Sequence, residues 1–279
     1  MTLWLYKSTF TQNPERRTQN LSPMNPQEYA RMHALETDYW WFVGRRAIMG
    51  ALLDQIVDGD AAALLDLGCG TGANLPFFCE HIGKAGRVTA LDYSPLALDF
   101  AKEKTRDLPV SLLRGDALKL PFPDASYDIV SMLDVLEHLS DDDVAMQEVH
   151  RVLRPGGHFV WSVPAYKKLW SQHDVALQHF RRYEKVELQQ LLKRHGFQIR
   201  KLSFAMSPMP AVAWAYRRFV LPFKKDVQTV ENGEGAILPA TPTLANRALV
   251  KYLQWESRRI IRRPLPWGTS LVGIARRQL

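Results

Sequence analysis

Hydrophobic and polar positions change their period several times along the chain, and each change marks an element. Residues 26–57, PQEYARMHALETDYWWFVGRR followed by IMGALLDQIV, predict helix with a break near Gly44. AALLDL (62–67) is a short apolar run closed by glycines, which predicts a buried strand. Residues 73–82 suit a helix, RVTALD (87–92) a second strand, and SPLALDFAKEKTR (94–106) a helix with Ser94 as N-cap and Pro95 at its first position. PVSLLRGD (109–116) and SYDIVSMLDV (126–135) predict the third and fourth strands. Ser140, with Asp143 three residues on, resembles a capping box opening a helix that runs to Leu153. RPGG (154–157) turns into a fifth strand, HFVWSVP (158–164). KVELQQLLKRHG (185–196) is helical with a glycine stop, FQIRKLSF (197–204) a sixth strand and TSLVGIARR (269–277) a seventh. Strands alternating with helices imply an α/β fold, a parallel sheet covered on both faces.

Two stretches stand outside this alternation. Residues 1–24 are polar and poorly patterned, so they are expected to be disordered and dispensable, with Met24 a candidate natural start. Residues 205–268 begin with the apolar, arginine-interrupted MSPMPAVAWAYRRFVLPFKK. They continue through DVQTVENGEGAILPATP, a loop by composition, and end in the basic amphipathic LANRALVKYLQWESRRIIRR. The expected division is an extension (1–24), a helical cap (25–57), a core (58–204), a basic insertion or lid (205–268) and a last core strand (269–279).

Composition narrows the class. Of 279 residues, 46% are hydrophobic and 23% charged, which excludes wholesale disorder, collagen-like repetition and a polytopic membrane protein. Charge is unevenly placed: 17 basic against 23 acidic residues over 1–180, then 19 against 6 over 181–279. A basic tail on an acidic body points to an anionic partner. Cys69 and Cys79 are the only cysteines, which excludes a disulfide framework and a CxxC zinc site and suits a reducing cytoplasm. No run reaches the roughly 18 apolar residues of a membrane span, and the first residues lack the apolar stretch of a signal peptide.

The candidate chemistry starts at LLDLGCGTGAN (64–74). Gly68, Gly70 and Gly72 permit a tight turn and close approach of backbone to a ligand. Read as Gly68, Gly70 and Ala73, the run also satisfies a dinucleotide GxGxxG/A pattern. No lysine follows, which excludes a phosphate-cradling P-loop. Asp92 ends the second strand, where an acid can hold two ribose hydroxyls. Asp116 follows the third strand, and Asp66 precedes the glycines.

With LLDLGCGTG (64–72), VTALDYSP (88–95), GDALKLPFPDASYDIV (115–130), LDVLEHL (133–139) and VLRPGGHF (152–159), the chain resembles the class I S-adenosylmethionine (SAM)-dependent methyltransferases over about residues 60–204 plus the last strand. The resemblance implies a Rossmann-like seven-stranded sheet whose antiparallel last strand lies beside the fifth. It implies SAM as cofactor, with Asp66, Gly68, Gly70 and Gly72 shaping its pocket. Asp92 would take the ribose, Asp116 and Ala117 the adenine, and Leu133 would border the pocket.

Acceptor-side candidates lie in three segments. His138 can serve as general base; Asp134, Glu137 and His138 also follow, with Asp for the first Glu, an ExxEH spacing that holds a divalent cation in some methyltransferases. Metal-free relatives carry DVLEH too, and no metal is expected. WSQHDVALQHFRRYEKVEL (170–188) offers His173 and His179 as bases and Arg182 with Tyr183 as acceptor contacts. A histidine base predicts an acidic limb in the pH–rate profile near 6.5. TDYWWFVGRR (37–46) contributes Tyr39, Trp41 and Arg45, resembling a cap over cofactor and acceptor. The expected activity is methyl transfer to a hydroxyl of a small or lipid- or saccharide-linked molecule, in the cytoplasm, with peripheral contact to anionic membrane. RNA methylation and a non-catalytic SAM-binding scaffold are the alternatives; no nucleic-acid motif appears, so nucleic acid is not the expected partner.

Overall fold

The computed structural model describes residues 26–57, 59, 62–207 and 241–278. The expectations for residues 1–24 and for most of the apolar half of the insertion therefore lie outside the described residues.

Seven strands form one sheet: β1 (Ala63–Leu67), β2 (Arg87–Asp92), β3 (Val110–Arg114), β4 (Tyr127–Leu133), β5 (Leu153–Pro164), β6 (Phe197–Ala205) and β7 (Ser270–Arg277). Their order is β3-β2-β1-β4-β5-β7-β6. The first five pair in parallel, while β7 runs antiparallel between β5 and β6. The resemblance implied this arrangement. All five residues of β1 are buried because the strand is central and covered on both faces. Leu65 and Leu67 point into one core and Leu64 into the other, the period-2 alternation of a strand.

The first face is covered by α5 (Asp142–Val152) and α7 (Lys185–Arg194). The second is covered by α2 (Trp40–Leu53), α3 (Leu75–His81), α4 (Pro95–Lys104) and α8 (Thr243–Arg262). Ser94 caps α4 as expected, its hydroxyl accepting the Ala97 N–H at 3.3 Å. The capping expected of Ser140 falls instead to Asp141, whose carboxylate accepts the N–H groups of Asp143 and Val144. A carboxylate suits that place, since it also meets the positive end of the helix dipole.

The expected break near Gly44 is moved. The chain turns at Glu36–Tyr39, between α1 (Pro26–Leu35) and α2, and α2 runs through Gly44 without interruption. A distant segment decides both facts. Asn246 of α8 accepts the Trp40 N–H at 2.8 Å and donates to the Asp38 carbonyl at 2.9 Å, capping α2 from outside. Gly44 is where α8 crosses closest, for a Cβ there would lie 2.8 Å from Leu253 Cβ. Glu256 of the same helix is fully buried and accepts the N–H groups of Met206 and Ser207 at 2.7 and 3.0 Å, anchoring the chain as it leaves β6. Among the described residues no helix is long and apolar enough to cross a membrane.

Candidate functional site

The C-terminal ends of β1, β2, β4 and β5 meet α1, α2 and the 169–182 segment around one cavity of about 660 Å³. Ligands of open α/β sheets sit at this edge, where strand order reverses from one crossover to the next.

The glycine turn forms its floor. Gly68 and Cys69 both donate to the Leu91 carbonyl, at 2.7 and 3.1 Å, bending the chain off β1. Gly70 has φ +54 and open space beyond it, the nearest side-chain atom standing 4.0 Å from where a Cβ would be. Gly72 has φ +81 for a different reason: a Cβ there would lie 2.8 Å from Ala101 of α4, so this glycine lets helix and turn pack. Asp92 joins the turn to β2. It accepts the Gly70 N–H at 2.8 Å and the Ser94 N–H at 2.9 Å while lining the cavity. Burial nevertheless raises its carboxyl above the ordinary aspartate range, only partly offset by these bonds.

The proposed cofactor residues divide accordingly. Gly68, Gly70, Asp92, Ala117 and Leu133 line the cavity. Asp66, Gly72 and Asp116 do not. Asp116 turns its carboxylate onto the Leu118 N–H at 2.8 Å and holds the loop from which Gly115 and Ala117 face inward. Asp66 lies behind the turn, accepting the Ser131 hydroxyl at 2.6 Å with its second oxygen unpartnered. Burial pushes its carboxyl up to about 7, a shift moderated by the Ser131 bond and reinforced by Asp92.

Above the turn, buried Glu36 accepts from the Thr71 hydroxyl and from Lys104, and Lys104 also donates to the Thr71 carbonyl at 2.9 Å. This ion pair ties the α1–α2 corner to the glycine turn and to α4. Sequence reasoning did not single out these residues, because nothing in ALETDY marks Glu36 as buried.

From α2, Trp41 and Arg45 line the cavity, whereas Tyr39 packs away from it against Trp40, Met206 and Leu253. The bend at Tyr39 aims its ring at α8 rather than at the sheet edge. Arg45 is already paired: it meets Asp134 at 2.6 Å and the Ser162 hydroxyl at 3.3 Å. Asp134 is thereby committed to a cation of the chain itself.

The acceptor-side wall combines the short turn Leu136–His138 after β4 with the segment around α6 (Gln172–Ala176). His138, His173, His179 and Arg182 line the cavity here. Tyr183 does not: it is 4% exposed, it bridges Ala165, and its hydroxyl reaches Asp142 at 3.1 Å. Asp174 organises the wall. Fully buried, it accepts from Ser171 N–H at 2.8 Å, His179 Nδ1 at 3.0 Å and Arg182 Nε at 2.7 Å. Burial alone would raise its carboxyl, but the bonds from His179 and Arg182 hold it well below the usual range. The His138 and His179 rings meet edge to face at 4.6 Å. Burial, aided by His179, pushes His138 down to about 3, and burial lowers His173 as well. A base held this low would place its limb well below the expected 6.5.

Glu137 completes the wall. It is 1% exposed and lines the cavity. Neither of its oxygens meets a partner outside its own residue. Burial, with the neighbouring Asp134 charge, raises its carboxyl well above the ordinary range.

Comparison with known proteins agrees with the architecture. Residues 65–161 match a family described as a methyltransferase domain. A demethylmenaquinone methyltransferase of Staphylococcus epidermidis is 34% identical over 160 residues, covering 55% of this chain and 63% of that protein. The chain thus spans less than two thirds of that relative's length. A Haloferax volcanii putative methyltransferase, solved with the Trm112 activator, has TM-score 0.58 at 22% identity, covering 90% of this chain and 94% of its own. Haemonchus contortus phosphoethanolamine N-methyltransferase 2, solved with SAM, has TM-score 0.55 at 18% identity, covering 82% of this chain and 52% of its own. The sheet order, the glycine turn at its switch point and the match over residues 65–161 converge: this part of the chain is similar to a methyltransferase domain, set in a fold like that of the class I SAM-dependent methyltransferases.

Proposed function

We propose that this chain is an enzyme that transfers the methyl group of SAM to a hydroxyl oxygen of a small or lipid- or saccharide-linked acceptor. The observation that carries the reading is a single cavity running from the glycine turn and Asp92 to the wall of His138, His173, His179 and Arg182. In this reading Gly68 and Gly70 pass the cofactor's amino-acid portion, Asp92 takes the ribose diol, and Ala117 and Leu133 border the adenine. Asp66, Gly72 and Asp116 act from behind, by holding the turn and the adenine loop. The acceptor oxygen attacks the methyl carbon as the carbon–sulfur bond breaks and its electron pair stays on sulfur. The chain's contribution is alignment and exclusion of water, worth up to about 7–11 kcal/mol. A neutral histidine on the wall takes the hydroxyl proton; burial lowers both His138 and His173 but drives His138 down to about 3, which favours the more exposed, cavity-lining His173 for that role. Trp41 and Arg45 close the opposite side.

Contact with an anionic membrane fits the same reading. Leu244, Tyr252, Trp255 and Trp267 are large exposed apolar side chains on or just beyond α8, and Arg258, Arg262 and Arg263 are exposed beside them. Aromatics and cations on one amphipathic element are the signature of interfacial docking.

Calorimetric titration with SAM comes first. Incubation with SAM and a panel of quinols and lipid-linked saccharides follows, read by mass spectrometry for a product heavier by one methylene. Demethylmenaquinone belongs in the panel because a relative is named for it. Saturable SAM binding and one methylated product are expected; no SAM binding by folded protein would overturn the reading.

A further inference from the structure

Glu36 occupies a place that disfavours a buried anion. It follows the last residue of α1, and its N–H donates to the Met32 carbonyl at 2.9 Å, so its carboxylate stands at the negative end of the helix dipole. It is also 2% exposed. A buried ion pair adds little stability over apolar residues of similar size. What the pair with Lys104 adds is fixed geometry at the glycine turn. We propose that Glu36, acting through Thr71, is a positioning residue for the amino-acid end of the cofactor.

The contacts of the corner converge on that turn. Met32 and Glu36 are four residues apart and so lie on one side of the helix. The Met32 methyl is the nearest side-chain atom to where a Gly70 Cβ would be, at 4.0 Å. Glu36 accepts from the hydroxyl of the next residue, Thr71. Lys104 of α4 donates to Glu36, to the Thr71 carbonyl at 2.9 Å and to His33 Nδ1 at 2.7 Å. An ammonium has three protons, and these acceptors use all three, so Lys104 is committed to holding the corner. The His33 ring stacks on Phe100 of α4 at 4.5 Å, which keeps α1 against that helix.

Thr71 is thereby held at both its hydroxyl and its carbonyl. It lies between Gly70 and Gly72, at φ +54 and +81. Glycine on either side leaves the backbone permissive, and the clamp from Glu36 and Lys104 supplies the constraint from outside the turn.

The lining near the turn suits a zwitterion. Glu36, Thr71 and Asn74 face the cavity, and α1 adds Glu28 and Arg31. Both signs of charge and neutral hydrogen-bonding groups are present where, resting on the cofactor placement proposed above, an ammonium and a carboxylate would lie. Asp92, Ala117 and Leu133 then serve the nucleoside half of SAM, and the corner serves the other half. The chain would distinguish SAM from nucleosides that lack the amino-acid end, and that distinction would depend on the corner. The corner leads directly into α2, which carries Trp41 and Arg45 to the cavity, so one stretch of chain links the cofactor's amino-acid end to the acceptor side.

The test is calorimetric titration of the full chain with SAM and with methylthioadenosine, which keeps the nucleoside and the sulfur but has no amino-acid end. The parent should bind SAM the more tightly. Thr71→Val removes the hydroxyl at nearly constant shape, and Thr71→Ser keeps it. Glu36→Gln alone leaves Lys104 without its anion; Glu36→Gln with Lys104→Met removes the whole pair and serves if the single variant does not fold. Thr71→Val and the double variant should lose about tenfold or more in SAM affinity, with methylthioadenosine affinity within about twofold of the parent's. Thr71→Ser should bind both ligands as the parent does. Equal weakening of both ligands would reduce Glu36 to an anchor for α1 and overturn the proposal. Undiminished SAM affinity in the folded variants, or a parent that binds SAM no better than methylthioadenosine, would overturn it too. A parent that binds neither ligand would refute the methyltransferase reading itself and take this proposal with it.

Discussion

Asp92 does two jobs, and replacing it should show both. Its carboxylate accepts the Gly70 and Ser94 N–H groups at 2.8 and 2.9 Å, and it also lines the cavity. Asp92→Ala leaves two amide donors beside a side chain that is 8% exposed. Each hydrogen bond to a charged group contributes about 1.5–3 kcal/mol, so a loss of about 3 kcal/mol is expected after local relaxation. At ~2–4 °C per kcal/mol for a chain of this size, the melting temperature should fall by about 6–12 °C. Asp92→Asn keeps one oxygen for one amide and should lose less than half of that. Both variants lose the anionic acceptor for a ribose diol, so SAM affinity should drop tenfold or more in each, about 1.4 kcal/mol. Thermal unfolding without ligand and calorimetry with SAM separate the two roles. An alanine variant with the parent's melting temperature would show that the carboxylate does not hold the turn. An asparagine variant with the parent's SAM affinity would remove Asp92 from the cofactor site.

Three further outcomes follow from the geometry. Gly44→Ala places a methyl against Leu253 and should destabilise by about 1–2 kcal/mol, overpacking outweighing the gain in helix propensity; the double variant with Leu253→Ala should lose clearly less than the two single losses added, and additivity would show that α2 and α8 do not meet there. Asp66 is raised from 3.8 to about 7, so the folded chain keeps a proton that the unfolded chain releases. Its contribution is present below the unfolded value and lost as pH rises through about 7; Asp66→Asn should therefore gain on the parent by up to about 4 kcal/mol across that window, and parallel melting curves at all pH values would contradict the burial argument. Liposome sedimentation should show binding that requires anionic lipid and falls with salt, at about 1 kcal/mol per surface cation. Replacing Arg258, Arg259, Arg262 and Arg263 with Gln should abolish it, and absence of binding at low salt would make a soluble acceptor the better substrate.

The elements were legible because their signals are local. An apolar run such as ALLDL, a Ser-Pro helix start at 94–95 and glycines at 68, 70 and 72 each act through neighbours a few residues away. Alternation of strand and helix then implied a covered parallel sheet, and the quoted motifs implied the antiparallel β7 beside β5. The wall of the site was legible only as a set of residue types. Tyr39, Tyr183, Arg45 and Arg182 all looked equally ready for an acceptor; tertiary packing buried the two tyrosines and paired the two arginines with Asp134 and Asp174. Asn246 capping α2, Leu253 crossing at Gly44 and Lys104 against Glu36 join residues 68 to 209 positions apart, where no periodicity reaches. Burial of Asp66 and Glu137 was invisible for the same reason. A carboxylate's partners, and hence its proton affinity and its use, depend on which segments the completed sheet brings against it.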